Sequence, residues 1–211
     1  MSRSVEREAL FDALRRLAPI GAEALDAVAR LTIRRSFEDR SYLLRGGEVA
    51  EWCFFVERGL VRELYVDDEG CEYTRSFIAE RQVTGSLLDL LSPEPSITWI
   101  QALEPTTTLA FRYRDFDALT ERFPEMHRVS RRHAEALYVK KTRREHEMLA
   151  LSASARHARW LAEHPGLDAR VSRKHLASYL GITPEHLSRL RASPARPLMA
   201  SRRSKPPKGA R

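Results

Sequence analysis

The spacing of apolar residues divides the chain into helical and extended stretches. From Val5 to Leu17, Leu10, Leu14 and Leu17 fall on one side at helical spacing, and Ala22 to Leu31 continues in the same manner. From Ile33 the period changes. Ser41 to Leu44 reads as a short strand ending at Gly46-Gly47, and Trp52 to Val56 is apolar throughout, the mark of a buried strand. Arg58-Gly59 turns the chain into Leu60 to Val66. Asp67-Asp68-Glu69-Gly70 is a turn signal, and Cys71 to Ile78 returns. Val83 to Leu91 reads as a strand followed by a helical turn. Pro93-Glu94-Pro95 forces a loop, and Ile97 to Leu103 and Thr106 to Tyr113 supply two further strands, rich in Thr, Ile, Trp and Phe. Short strands separated by turns predict a small antiparallel roll or barrel.

Beyond Arg114 the helical period returns. Asp115 to Phe123 predicts a short helix, and Pro124 opens a long one that reaches at least Met148. Met126, Val129, His133, Ala136 or Leu137, and Lys140 approximate a heptad seam, though one poor in Leu. A surface helix packed on the roll and a dimer helix both fit; the dimer helix is favoured. Ser152 to His164 is a further helix, stopped by Pro165-Gly166.

Arg173 to Leu190 organises the rest of the chain. Leu176, Ala177 and Leu180 form one face of a short helix, and Gly181 ends it, since Gly enters the left-handed region without steric cost. Ile182 plugs the corner. Thr183 caps the next helix and Pro184 suits its first position, where no N–H is needed. Leu187 and Leu190 face inward. Ala177 leaves room for two helices to cross closely. Ser172 caps the first helix. The pattern predicts a helix-turn-helix of the kind that lays its second helix in the DNA major groove; an ordinary helical hairpin is the alternative.

Charge sharpens this reading. The net charge is +7 over 211 residues, but it is −6 over residues 1–120, +6 over 121–190 and +7 over 191–211. The basic charge coincides with the predicted helix-turn-helix, as contact with phosphates requires. The stretch after Arg191 holds four of the eleven prolines, no aromatic and no acid, and is expected to be disordered. The N-terminus, MSRSVEREAL, is charged and lacks the apolar core of a signal peptide, and no run is long enough to cross a membrane. The only cysteines, Cys53 and Cys71, exclude a disulfide framework and suit a reducing cytoplasm.

Other chemistry is thinly supported. The seven histidines have no paired ligand spacing, so no metal site is expected, and they read as surface or capping residues. Cys53 lies in an apolar strand and reads as inert core, whereas Cys71, beside a turn, is expected to be exposed. No nucleophile elbow, P-loop or dinucleotide fingerprint is present, so no enzyme activity and no cofactor are expected.

A β-rich sensor, a long helix and a C-terminal helix-turn-helix, in that order, resemble the Crp/Fnr superfamily of bacterial transcription regulators. The resemblance rests on YLLRGGEVAEWCFFVERGLVRELYVDDEG at Tyr42 to Gly70 and VSRKHLASYLGITPEHLSRL at Val171 to Leu190, with LSASARHARWLAEHPGLDARV at Leu151 to Val171 as the linker. It implies an α+β chain: a cupin-like β-roll of the cyclic-nucleotide-binding kind over residues 1–122, a dimerisation helix over 123–150, and a helix-turn-helix domain over 151–191. A basic tail then covers 192–211. No strand pattern of a wing follows the second helix, so the DNA-binding domain reads as a truncated winged helix.

In cyclic-nucleotide-binding members a Gly-Glu pair and, after a loop, an Arg with a hydroxyl residue hold the cyclic phosphate. Here the corresponding stretch is VTGSLLDLLSPEPSITWIQA. Gly85 is kept, but Ser86 stands at the Glu position, Ser96 at the Arg position and Ile97 at the hydroxyl position. A hydroxyl does not replace a bidentate guanidinium, so cyclic AMP is not the expected effector. The degenerate pocket, Gly85, Ser86, Ser96, Ile97 and Trp99, leaves room for an apolar or aromatic effector near Trp99. The N-terminal cysteine cluster of the iron–sulfur members is absent. By the same resemblance Glu185 and Arg189 align with base-reading positions, with His186 and Ser188 exposed beside them. Ser172, Arg173, Lys174 and Thr183 are expected at phosphates. The expected partners are DNA, a second copy of the chain and an unidentified small-molecule effector. The other expectation is an effector-binding or interaction protein whose truncated DNA-binding domain no longer works.

Overall fold

A computed structural model describes residues 3–92 and 94–192. The chain separates into two units, Met1–His146 and Glu147–Arg211. The expected basic tail and the region where a wing would follow lie outside the described residues.

The first unit begins with helices α1 (Arg3–Leu17) and α2 (Ala22–Leu31). Eight strands follow: β1 (Ile33–Phe37), β2 (Tyr42–Leu44), β3 (Trp52–Arg58), β4 (Val61–Val66), β5 (Glu72–Ile78), β6 (Val83–Thr84), β7 (Trp99–Ala102) and β8 (Thr106–Arg112). A short helix, α3 (Leu87–Leu90), separates β6 from β7. The strands form two four-stranded sheets, ordered β1-β8-β3-β6 and β2-β7-β4-β5, and every pairing is antiparallel. This is the expected roll, with one strand more than the pattern revealed. β1 was not expected because IRRSF shows no apolar alternation; it is almost wholly exposed and is held as an edge by its register against β8, Ile33 opposite Ala110.

Turns fix the strand ends. Asp67 accepts hydrogen bonds from the backbone N–H groups of Glu69 and Cys71 and from the Tyr73 hydroxyl, which closes the β4–β5 turn. Gly59, at φ +109°, ends β3 where Thr106 of β8 passes so close that a Cβ would sit 2.7 Å from its Cα. Inside the roll Val56, Val61, Ile78, Ile100 and Ala102 pack together. A second core joins Leu10, Leu14, Leu25 and Val28 of the first two helices to Phe55 and Leu109. Buried Arg62 donates to Gln101 Oε1 at 2.9 Å and pairs with Glu72 at 2.6 Å, so its charge is compensated within the sheet.

Helix α4 (Tyr113–Arg122) leads into α5 (Pro124–Ala150). The expected seam of α5 is corrected at its start. Met126 and Val129 are buried in the chain's own core with Leu119 and Phe123, so for these turns the surface-helix reading holds. Farther along, His133 and Leu137 are half-buried and Ala136 and Lys140 are exposed. Among the described residues no helix is long and apolar enough to cross a membrane.

The second unit contains α6 (Ala153–Glu163), a single 3-10 turn (Leu167–Ala169), α7 (Arg173–Leu180) and α8 (Pro184–Ala192). Its core is small: Trp160, Leu167, Val171, Leu176, Ala177, Leu180 and Leu187 are all buried. His157 is buried too, which corrects the surface reading of the histidines; its ring lies on the inward face of α6 with Trp160.

Candidate nucleic-acid interface and sensor core

Caps position the helix pair. The Ser172 hydroxyl accepts the N–H of His175 at 3.1 Å and opens α7. At the other end Gly181 adopts φ +65°. The Ile182 N–H then reaches Ala177 O at 3.0 Å and the Gly181 N–H reaches Ser178 O at 3.1 Å, the paired bonds of a Schellman end. The Thr183 hydroxyl accepts the N–H of His186 at 3.2 Å and opens α8 immediately. Arg156 of α6 adds a brace: its guanidinium donates to Leu180 O at 3.0 Å and to Leu151 O at 2.6 Å, neutralising carbonyls at two helix ends. Arg191 at the end of α8 pairs with Asp168.

Leu176, Ala177, Leu180 and Leu187 of the pair are buried. Glu185, Ser188 and Arg189 are exposed on α8, and His186 is half-buried. Ser172, Arg173, Lys174 and Thr183 are exposed around the two helix starts. Leu190, expected inward, is half-buried. Glu185 also does a local task. Its carboxylate accepts from its own backbone N–H and from the Thr183 hydroxyl, and with Arg189 one turn on these hold it below the ordinary glutamate range. It therefore stays ionised and faces a guanidinium on the adjacent turn.

In the roll, the stretch corresponding to the phosphate-gripping segment contains a buried carboxylate that the resemblance does not imply. Asp89 of α3 is 4% exposed. Its Oδ2 accepts from Ser96 Oγ at 2.7 Å, and Ser86, Thr98 and the backbone N–H of Ile97 lie close enough to act on it. Burial raises its pKa, but these donors outweigh burial and leave the carboxyl below the ordinary aspartate value. The side chain of Ile97 is 60% exposed, so this residue contributes its backbone. Gly85 packs on the backbone of Trp52 and Cys53. Trp99 is half-buried; its ring lies over Gly46 and meets Tyr42 edge-on, with centroids 5.3 Å apart. The expected pocket residues are thus divided: Ser86 and Ser96 meet at Asp89 with Thr98, while Trp99 packs elsewhere.

A second buried carboxylate, Glu63 of β4, accepts from Ser76 Oγ at 2.7 Å and Thr84 Oγ1 at 2.9 Å, with Arg75 at 3.7 Å. Lys140 of α5 lies within the field of Glu63 and Arg75. Both acids were legible as anomalies: Asp89 interrupts LLDLL, and Glu63 lies between apolar Val61 and Leu64 in a strand. An open cleft of about 150 Å³ lies beside Leu90 of α3, lined also by Ala50, Glu51, Arg112, Tyr113 and Arg114.

The cyclic nucleotide-binding domain family matches residues 34–123. No curated protein sequence matches the chain. Solved structures with the same fold include FixK2 of Bradyrhizobium japonicum, 20% identical over 76% of this chain and 83% of that one, with a TM-score of 0.65. CLP of Xanthomonas campestris, a c-di-GMP responsive global regulator, is 18% identical over 82% and 90%, also at 0.65. The catabolite activator protein of Thermus thermophilus is 22% identical over 85% of each chain, at 0.55. Residues 34–123 thus match the cyclic nucleotide-binding domain family, and the chain shares the fold of FixK2, CLP and the catabolite activator protein.

Proposed function

We propose that this chain is a cytoplasmic, homodimeric, sequence-specific DNA-binding transcription regulator of the Crp/Fnr kind, whose effector is unknown or absent and is not cyclic AMP. The observation that carries this reading is α8. It is a capped helix with Leu187 buried on one side and Glu185, Ser188 and Arg189 exposed on the other. These are side chains that recognise base edges: a carboxylate accepts from cytosine N4, and a guanidinium grips guanine O6 and N7. Ser172, Arg173, Lys174 and Thr183 surround it at helix starts, where phosphates are bound. The pair α7–α8 is then a helix-turn-helix, and α8 its recognition helix. The fold shared with FixK2, CLP and the catabolite activator protein supports the assignment.

The sensor reading rests on charge. Asp89 already accepts from the Ser96 hydroxyl, so a cyclic phosphate at this position would meet a carboxylate and no arginine. Selection of bound fragments from random DNA, followed by mobility shifts at graded salt, tests the proposal. A pseudo-palindromic site with half-sites about 10–10.5 base pairs apart, or a multiple of that, is expected. Absence of any preferred sequence at low salt would overturn it and leave an effector-binding or interaction protein. Calorimetry with cyclic AMP and cyclic GMP is expected to show no binding; tight binding of either would overturn the sensor reading.

A further inference from the structure

Arg156 joins two places that are far apart in sequence. Its Nη1 donates to Leu151 O at 2.6 Å, just past the end of α5, and its Nε donates to Leu180 O at 3.0 Å, at the end of α7. Both acceptors lie at helix ends, where a carbonyl has no N–H of its own helix to accept. A water molecule satisfies such a carbonyl nearly as well, but it does not fix the distance between two of them. A guanidinium does, because it is planar and its N–H directions are rigid. Two further contacts join the same places. The Met148 methyl of α5 lies over Gly181, where a Cβ would meet it at 2.6 Å. Glu147, 8% exposed, pairs with Arg159 of α6 at 3.2 Å. Only Ile182 and Thr183 separate Gly181 from α8, and the Gly181 and Ile182 N–H groups bond back to α7. The direction of α8 is therefore fixed to the end of α7, and Arg156 fixes the end of α7 to the end of α5.

We propose that Arg156 is a positioning residue for DNA recognition: it sets the angle at which α8 stands to the last turn of α5. In a dimer built on α5, that angle sets the separation of the two α8 helices, and with it the half-site spacing that the protein accepts. The inference rests on the reading of α8 as the recognition helix and α5 as the dimer helix.

The test uses the full chain with Arg156→Lys and Arg156→Ala. Lysine keeps the charge but replaces the rigid fork by rotatable donors. Mobility shifts compare the selected site, the same site with a base pair added or removed between the half-sites, and an isolated half-site. The wild type is expected to reject the altered spacings. In both variants the affinity ratio between correct and altered spacing is expected to fall toward one, while affinity for the isolated half-site stays unchanged. A uniform loss on every site with the ratio kept, or Arg156→Lys behaving as the wild type, would overturn the proposal. Failure of both variants to fold would also overturn it, since Arg156 would then serve stability alone.

If the wild type selects no DNA site, the reading of α8 fails, and the orientation is read without DNA. Nitroxides at Ala150→Cys and Ser188→Cys, in chains carrying Cys71→Ser and mixed with excess unlabelled chain, report the distance from α5 to α8 by pulsed electron paramagnetic resonance. A single narrow distance is expected with Arg156 present and a broad spread in both variants. Equally narrow distributions would overturn the role of Arg156.

Discussion

The two cysteines show how neighbours set the chemistry of identical side chains. Cys53 is buried in β3, and burial pushes its thiol up to about 12, whereas Cys71 is exposed at the β4–β5 turn. Only the thiolate is nucleophilic. Brief alkylation of native protein at mild alkaline pH should label Cys71 alone, and labelling in denaturant should add Cys53; peptide mass spectrometry reads both. The same scale governs the proposed DNA contacts. Arg189→Ala is expected to cost about 1–3 kcal/mol of DNA affinity and to relax preference at one base position, while Lys174→Ala weakens all sequences alike and flattens the salt slope. Unchanged affinity and preference for Arg189→Ala on a selected site would refute the docking. Glu185, tied to its own helix start and facing Arg189, must exchange those bonds for a base.

At the scale of elements, the α7–α8 turn depends on one backbone conformation. Gly181 at φ +65° lets Ile182 and Gly181 bond back to α7, and an added Cβ would lie 2.6 Å from the Met148 methyl. The methionine end is flexible and moves cheaply, so the backbone dominates. Gly181→Ala is expected to lose about 1–2 kcal/mol in denaturant unfolding, the cost of placing a Cβ in the left-handed region. Helix α6 carries a pH dependence. Burial lowers the pKa of His157, Arg191 lowers it further and Asp168 opposes them. The unfolded chain takes up a proton near ~6.5 while the folded chain resists until a lower pH. Stability of α6–α8 should therefore be full above that value and fall as pH drops below it. Hydrogen exchange of α6–α8 amides across this range should show the loss, and His157→Leu should remove it.

At the scale of the whole molecule, assembly turns on α5. Its first turns are committed to the chain's own core, so only the later part is available to a partner. There Leu137 is half-buried, and Tyr138 and Leu149 are 71% and 81% exposed. We expect sedimentation to give a dimer, and Leu137→Asp to shift it toward monomer by placing a charge in the proposed contact. A wild type that sediments as monomer both alone and with DNA would remove the dimer from the proposal.

Local rules made much of this protein legible. The turn residues Asp67 to Gly70, the caps Ser172 and Thr183, and the apolar spacing of Leu176, Ala177, Leu180 and Leu187 each act within a few residues, and the elements they predict are present. The pattern of β1 was not legible, because its pairing energy comes from β8, more than sixty residues away in sequence. The seam of α5 looked continuous because helical spacing does not say what covers a face; packing against Leu119 and Phe123 gave Met126 and Val129 to the core. The family resemblance implied only what Ser86 and Ser96 had lost. Only the fold revealed what they gained: the Ser96 hydroxyl meets the buried Asp89 carboxylate, and the Ser86 hydroxyl meets that of Thr98. Periodicity and capping are properties of neighbouring residues, and the sequence determines them. Which buried polar group meets which donor depends on long-range closure of the chain, and the tertiary structure alone decided it.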